Sequence, residues 1–178
     1  RRFVNRRAGK MDDGTDEVLY NDSKSVLLRS RSHDGKTYAG RTIKRKPNGD
    51  LVVHNDIFVI NEDSQYKGKG LDFFVNQVLA LQEAGVKKIE THAAGSRTSA
   101  TFNGYYTWPR MGYDGTIQNY QFKNLPKDIQ GKMGASRSVL DLYGIPGGKE
   151  AWKEHGSDIL DATFDLSENS RSMKVLLS

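Results

Sequence analysis

The chain contains no cysteine. That gap excludes a disulfide framework, a thiolate zinc site and a cysteine nucleophile together. Its four histidines are scattered, so a metal site built of imidazoles alone is not expected. Apolar runs last only a handful of residues, far short of the roughly 20 a membrane-spanning helix needs. No signal-peptide pattern opens the chain, and the expectation is a soluble, cytoplasmic protein with no membrane partner. Several active-site signatures are also missing. There is no G-x-S-x-G elbow, no carboxylate pair singled out by an apolar setting, no Walker A loop and no G-x-G-x-x-G fingerprint.

What is present is 178 residues, a length suited to one domain with a small appendage. The formal net charge is +5 and the pI about 9.3. The basic residues run from Arg1 to Lys174 without concentrating, which gives a weak preference for anionic partners. The first residue is arginine, and the expectation is a piece of a larger parent polypeptide, processed or excised.

Residues 1–23 are polar and carry Arg1, Arg2, Arg6 and Arg7 close together, which reads as a flexible basic arm with a short ordered piece at Val18–Tyr20. From Lys24 the pattern becomes strand-like: Ser25–Arg31, Thr37–Lys46 and Leu51–Ile60. Pro47, Asn48, Gly49 and Asp50 tolerate a tight hairpin turn between the last two. In Leu71–Ala84 the residues Leu71, Phe74, Val75, Val78, Leu79 and Leu81 or Gln82 recur at spacings of three and four, which predicts a helix stopped by Gly85. Val86–Ala94 then reads as a strand parallel to 51–60 through a βαβ crossover. A helix over 96–108, capped by Ser96 and stopped by Pro109, follows. Further on, Lys127–Lys132, Ser136–Tyr143 and Lys149–Glu154 read as helical pieces, and Ala162–Leu166 and Met173–Leu177 as late strands. The class is α+β with a mixed sheet.

The segment Ser64-Gln65-Tyr66-Lys67-Gly68-Lys69-Gly70-Leu71-Asp72 lies between a strand and the strongest helix. Backbone N–H groups at a helix start lack intrahelical partners, and the helix dipole adds about half a positive charge, so this turn suits an anion. Gly68 and Gly70 let the backbone approach a phosphate, and Lys67 and Lys69 add charge.

The order of hairpin strands, bulky strand, K-G-K-G-L helix start and parallel strand resembles the acetyl-coenzyme A loop of the GCN5-related N-acetyltransferase (GNAT) family. That family's motif is Q/R-x-x-G-x-G/A. Gln65, Gly68 and Gly70 match it literally; a second register through Lys67, Gly70 and Asp72 puts Leu71 where the family's aliphatic residue starts the helix. In that register the final small residue is Asp72, whose carboxylate would oppose a diphosphate by about 1–4 kcal/mol at roughly 4 Å. Trp108-Pro109-Arg110-Met111-Gly112-Tyr113 looks like the family's aromatic-x-x-x-Gly-aromatic segment, and Gly104 falls where that helix carries a small residue. Trp108 stands where a tyrosine commonly protonates the departing thiolate, and Tyr105 and Tyr106 are the nearest phenols. The resemblance implies a twisted mixed sheet flanked by helices, with residues 24–114 as the acetyl-CoA-binding core and 115–178 as an extension completing the sheet. It also implies that Phe58, Val59 and Ile60 offer backbone groups to the pantetheine.

A base must take the proton of an amine acceptor. Alternation places His54 and Asp56 on one face of 51–60, where they can couple, and likewise Glu90 and His92 on 86–94. His92 lies near the C-terminal end of a parallel strand, where open sheets place ligands. The leading reading is thus an N-acetyltransferase that moves acetyl from acetyl-CoA to an amine. Two others stand beside it: a catalytically degenerate module of the same fold within a larger viral or secreted polypeptide, and a basic nucleic-acid-binding domain using Arg1–Lys10 with stacking by Tyr105, Tyr106, Trp108 and Tyr113. Segment 115–135 reads as a mobile flap.

Overall fold

A computed structural model describes residues 14–20 and 25–178. The arginine-rich stretch 1–10, with its nucleic-acid reading, lies outside the described residues. The described residues divide into two compact units: those up to 90 together with 166–168, and 91–165 with 169–178.

In the first unit, β1 (Thr15–Tyr20), β2 (Ser25–Arg31), β3 (Thr37–Arg45) and β4 (Leu51–Ile60) form an antiparallel meander. The β3–β4 turn closes where the sequence places it. Lys46 donates its N–H to the Asp50 carbonyl at 2.8 Å, and Gly49 sits at φ +89°. The β3–β4 ladder slips once: Gly40 opposes Ile57 and Arg41 opposes Asn55, so Asp56 stands outside the register as a β-bulge. Simple alternation misses this slip, and Asp56 and Ile57 are consecutively exposed.

Helix α1 (Gly70–Glu83) follows, burying Phe73, Phe74, Gln77, Val78 and Leu81. Its inward face is rotated from the one the apolar spacing suggests, leaving Leu71 and Leu79 at 48% and 58% exposed. Gln77 joins the core because it meets Asn55 of β4 in a reciprocal amide pair at 3.2 and 2.7 Å. A buried amide with both bonds made carries no desolvation penalty to drive it outward. Beyond the helix, Lys87 donates its N–H to the Leu51 carbonyl at 3.4 Å, which sets the start of β5 (Lys88–Ala93) beside the start of β4, the parallel arrangement of a crossover. Strand β5 gives Lys88–Glu90 to the first unit and Thr91–Ala93 to the second.

The second unit carries short helices: α2 (Gly104–Arg110), α3 (Asn119–Asn124), α4 (Lys127–Met133), α5 (Val139–Tyr143), α6 (Gly148–His155) and α7 (Arg171–Leu176). Strand β6 (Ile159–Asp165) lies next to β5 in the sheet. Thus the class is α+β, a mixed sheet with flanking helices.

Four sequence expectations change here. The helix expected over 96–108 starts only at Gly104, because Gly95 bridges Asn103 and the Ser99 hydroxyl accepts the Phe102 N–H at 3.0 Å, closing 96–103 into a turn. Pro109 does not stop that helix. Proline lacks the N–H that would bond the carbonyl four residues back, and that carbonyl, on Tyr105, instead accepts the Trp152 indole N–H at 2.9 Å. The strand expected at 173–177 is helix α7, nucleated by the Ser170 hydroxyl, which accepts the Met173 N–H at 3.1 Å. Finally, the segment expected as a flap is anchored: Ile117, Gln121, Leu125, Ile129 and Met133 are all buried.

Candidate functional site

The turn before α1 is built on Ser64. Its buried hydroxyl shares a hydrogen bond with Thr37 Oγ1 at 2.7 Å and accepts the Tyr66 N–H at 3.1 Å. The Lys67 N–H donates to the Ser64 carbonyl and the Lys69 N–H to the Tyr66 carbonyl, both at 3.0 Å. Gly68 sits at φ +82°, a conformation that glycine alone adopts without strain. The Tyr66 ring packs inward on Phe73 at 5.3 Å, and Phe58 and Ile60 of β4 close around the pair. So the aromatic anchor lies beneath the turn and the glycines and lysines stay outside.

Lys69 is the N-cap of α1 and no side chain caps it; the first intrahelical bond runs from the Phe73 N–H to the Lys69 carbonyl at 3.1 Å. The amides of Gly70, Leu71 and Asp72 therefore have no intrahelical partner. A Cβ on Gly70 would lie 3.8 Å from Ile60 Cδ1 and Phe58 Cε1, ordinary contact that leaves no spare room between helix start and strand. The lysines are partly engaged: Lys67 pairs with Glu62, and Lys69 Nζ lies 5.9 Å from the Tyr66 ring centre. Asp72 is exposed in the first turn, where its charge favours the helix dipole and would compete with a bound anion. Beside the turn, Lys36 pairs with Asp63 at 2.7 Å, which draws the aspartate below its ordinary range and lifts the lysine above its own.

Strand β4 carries the second cluster. His54 Nδ1 lies 2.9 Å from Asp56 Oδ1, and the Thr42 hydroxyl donates to Asp56 Oδ2 at 2.7 Å. Both side chains are a little over a third exposed. The pairing expected from alternation exists, although the bulge aims Asp56. Thr42, which holds the carboxylate, carries no sequence signal beyond its place in a strand. Phe58, Val59 and Ile60 follow on the same strand, half-buried, opposite Ala39, Tyr38 and Thr37 of β3.

In the second unit the candidates separate. Tyr105 is 4% exposed; its hydroxyl donates to the Lys153 carbonyl at 2.8 Å, and burial pushes the phenol above its ordinary range. Its proton is thus committed and hard to remove. Tyr106 is half-buried, its ring centre 5.3 Å from the Arg110 guanidinium carbon and 5.6 Å from Lys153 Nζ. Trp108 packs against Tyr113 with ring centres 5.1 Å apart and planes tilted by 58°, and Tyr113 against Phe164 at 5.6 Å and 60°, so this aromatic segment is packing for the second unit. Gly104 needs to be small, since a Cβ there would lie 3.0 Å from the Ala94 carbonyl oxygen and 3.1 Å from Trp108 Cδ1.

His92 does not couple with Glu90, which faces Lys46 at 3.7 Å. Instead His92 Nε2 lies 3.3 Å from Asp158 Oδ2, while Asp158 Oδ1 accepts the Gly95 N–H at 2.6 Å. Asp158 is 66 residues away in sequence, and nothing in the local pattern announces it. Among the described residues, no group of three or more His, Cys, Asp or Glu could hold a metal, and no helix is long and apolar enough to cross a membrane.

No protein-family model matches the chain, and no curated protein matches it in sequence. Among solved structures, the chain is similar to a protein from Desulfovibrio desulfuricans provisionally named an acetyltransferase of the GNAT family. The two share 12% identity with a TM-score of 0.44, over 81% of this chain and 71% of that one.

Proposed function

We propose that the chain is an N-acetyltransferase that takes acetyl from acetyl-CoA to an amine. The observation that carries this reading is the arrangement along one stretch of the first unit. A strand with a bulge at a His–Asp pair leads into a lysine–glycine turn, and three unpartnered amides open a fourteen-residue helix there.

The residues fit a diphosphate. Donors from Gly70, Leu71 and Asp72 converge at the helix start, Gly68 keeps the turn free of a side chain, and Lys69 adds charge at the rim. Asp72 acts against this, which predicts a modest rather than tight affinity. When bound, acetyl-CoA supplies the activated acetyl group. Phe58, Val59 and Ile60 would offer backbone groups to its pantetheine arm, and the amides of Gly70, Leu71 and Asp72 would hold its diphosphate. His54 takes the proton of the acceptor amine: with Nδ1–H donated to Asp56, Nε2 remains as the base, and Thr42 holds the carboxylate in place. Of the two phenols in the second unit, Tyr105 already donates its hydroxyl to the Lys153 carbonyl, which leaves Tyr106 the one without that commitment.

One observation favours the non-catalytic reading instead. Trp108 is a packing residue without an ionisable group, and Tyr105 cannot release its proton easily, so two of three expected acid positions are closed.

Isothermal titration of acetyl-CoA tests binding. The unaltered chain is expected to bind, Gly70→Glu to weaken binding at least tenfold, and Asp72→Gly to strengthen it. No heat at millimolar acetyl-CoA removes the acyltransfer reading. If binding is seen, His54→Ala separates the two remaining readings: thiol release with an amine panel should fall by about 100-fold, and binding without any release supports the degenerate module.

A further inference from the structure

The second unit contains an open surface depression of about 550 Å³ that the acetyl-CoA reading does not use, in volume within the range of roughly 300–1,000 Å³ seen for small-molecule sites. Its wall includes Ser96, Ser99, Phe102, Tyr120, Ser157 and Asp158. We propose that this depression binds a neutral carbohydrate, a mono- or disaccharide, with Phe102 and Tyr120 as apolar platforms and Asp158, Ser99 and Ser157 as hydroxyl partners.

The choice of ligand class follows from the hydrogen-bond inventory. The wall holds one carboxylate and no basic side chain, so a phosphate or carboxylate ligand would meet net repulsion. Asp158 has each oxygen occupied once, Oδ1 by the Gly95 N–H and Oδ2 by His92, and a carboxylate oxygen has a second lone pair to offer. The depression therefore accepts from a ligand donor. Ser99 Oγ accepts the Phe102 N–H, and Ser157 Oγ accepts the Gln121 side-chain amide at 2.9 Å. Among the described residues neither hydroxyl hydrogen has an acceptor, so the wall also donates. An ammonium ligand would suit Asp158 but has no lone pair for two serine hydroxyls. A sugar hydroxyl gives and accepts at once.

The rings supply the rest. Phe102 is 54% exposed and Tyr120 60% exposed, unusual for large aromatic side chains, and both stand on this wall. The apolar C–H face of a pyranose is the surface such rings cover, and removing both apolar faces from water favours the contact. The wall is also rigid where it must be. Gly95, at φ +122°, brings its backbone so close to Phe102 that a Cβ would lie 2.1 Å from the Phe102 carbonyl oxygen. Gln121 is fully buried and bonds both the Ser157 hydroxyl and the Asp158 carbonyl at 2.9 Å, which fixes the carboxylate-bearing loop.

Saturation-transfer difference NMR on the full chain tests this with glucose, galactose, mannose, N-acetylglucosamine, maltose and cellobiose, alongside choline and glucose 6-phosphate. At least one neutral sugar should give a signal at millimolar concentration, with its ring C–H protons most strongly saturated. Tyr120→Ala and Phe102→Ala, both at exposed positions expected to fold normally, should each weaken that sugar about tenfold. Ser157→Ala should weaken it less. Silence from all six neutral sugars overturns the proposal, as does a sugar signal that neither aromatic substitution reduces. Binding of choline without any sugar assigns the depression to a cation instead. Binding of glucose 6-phosphate in preference to glucose overturns the charge argument. Excess acetyl-CoA should leave the sugar signal unchanged.

Discussion

The two units satisfy their polar backbone by different means. In the first, strands β1 to β4 pair along ladders interrupted by one bulge in β4, and a fourteen-residue helix makes its own bonds. In the second, six helices of five to eight residues are each shorter than the roughly 12–15 residues an isolated helix needs, so other groups must hold them. Those groups are side chains reaching distant backbone. Asp114 accepts the Leu140 N–H; Gln121 donates to the Asp158 carbonyl; Trp152 donates to the Tyr105 carbonyl. A ladder spreads its stability over many equivalent bonds. An anchored set of short helices concentrates it in a few residues, so single substitutions should cost more there.

The sharpest way to break this contrast is Trp152→Ala. The indole is 0% exposed and its N–H occupies the carbonyl that Pro109 leaves open, so about 3–5 kcal/mol of stability should be lost in urea denaturation. Trp152→Phe keeps most of the volume, loses the bond and should cost less. A loss from Trp152→Ala no greater than that of Thr42→Ala, on an exposed strand face, would undo the argument.

In the first unit the nearest equivalent is Gln77. Gln77→Ala removes both bonds to Asn55 and should cost about 1–3 kcal/mol. Adding Asn55→Ala should cost less than its single effect predicts, because the buried amide no longer lacks its mate. Strict additivity in that cycle would mean that the pair contributes little.

The smallest expected effect is an acid limb. The Ser136 hydroxyl and the Arg171 guanidinium, the latter at 2.7 Å, hold the Asp141 carboxyl below its ordinary range. Its ionised form favours the folded state, so this contribution is complete above the ordinary carboxylate range and disappears as pH falls through the lowered folded value. Asp141→Asn should flatten that part of the stability profile, read by thermal unfolding across an acid pH series. An unchanged acid limb would assign it to Asp34 and Asp63 of the first unit, which are also drawn down.

The first unit was the more legible in the sequence for the same reason that it should be the more tolerant. Strand period, the Pro47–Asp50 turn and the spacing over Leu71–Ala84 are local patterns, and local patterns survive reading one residue at a time. The MKVLL run shows the limit. Its β-branched and apolar residues read as strand, but the Ser170 cap makes it a helix. The candidate site divides along the same line. The lysine–glycine turn at the helix start was legible, because glycine spacing and helix phase are local properties.

By itself, the sequence determined the absence of thiol chemistry, the +5 charge, the α+β class and the strand–turn–helix unit around Gly68 and Gly70. Only the tertiary structure decided that a bulge aims Asp56 and that Gln77 belongs in the core. The same holds for the protein bonds of the Tyr105 hydroxyl and for the pairing of His92 with Asp158. Each of those outcomes depends on a bond or a register between segments far apart in the chain. The free energy of such a bond exists only once folding brings donor and acceptor within about 3 Å.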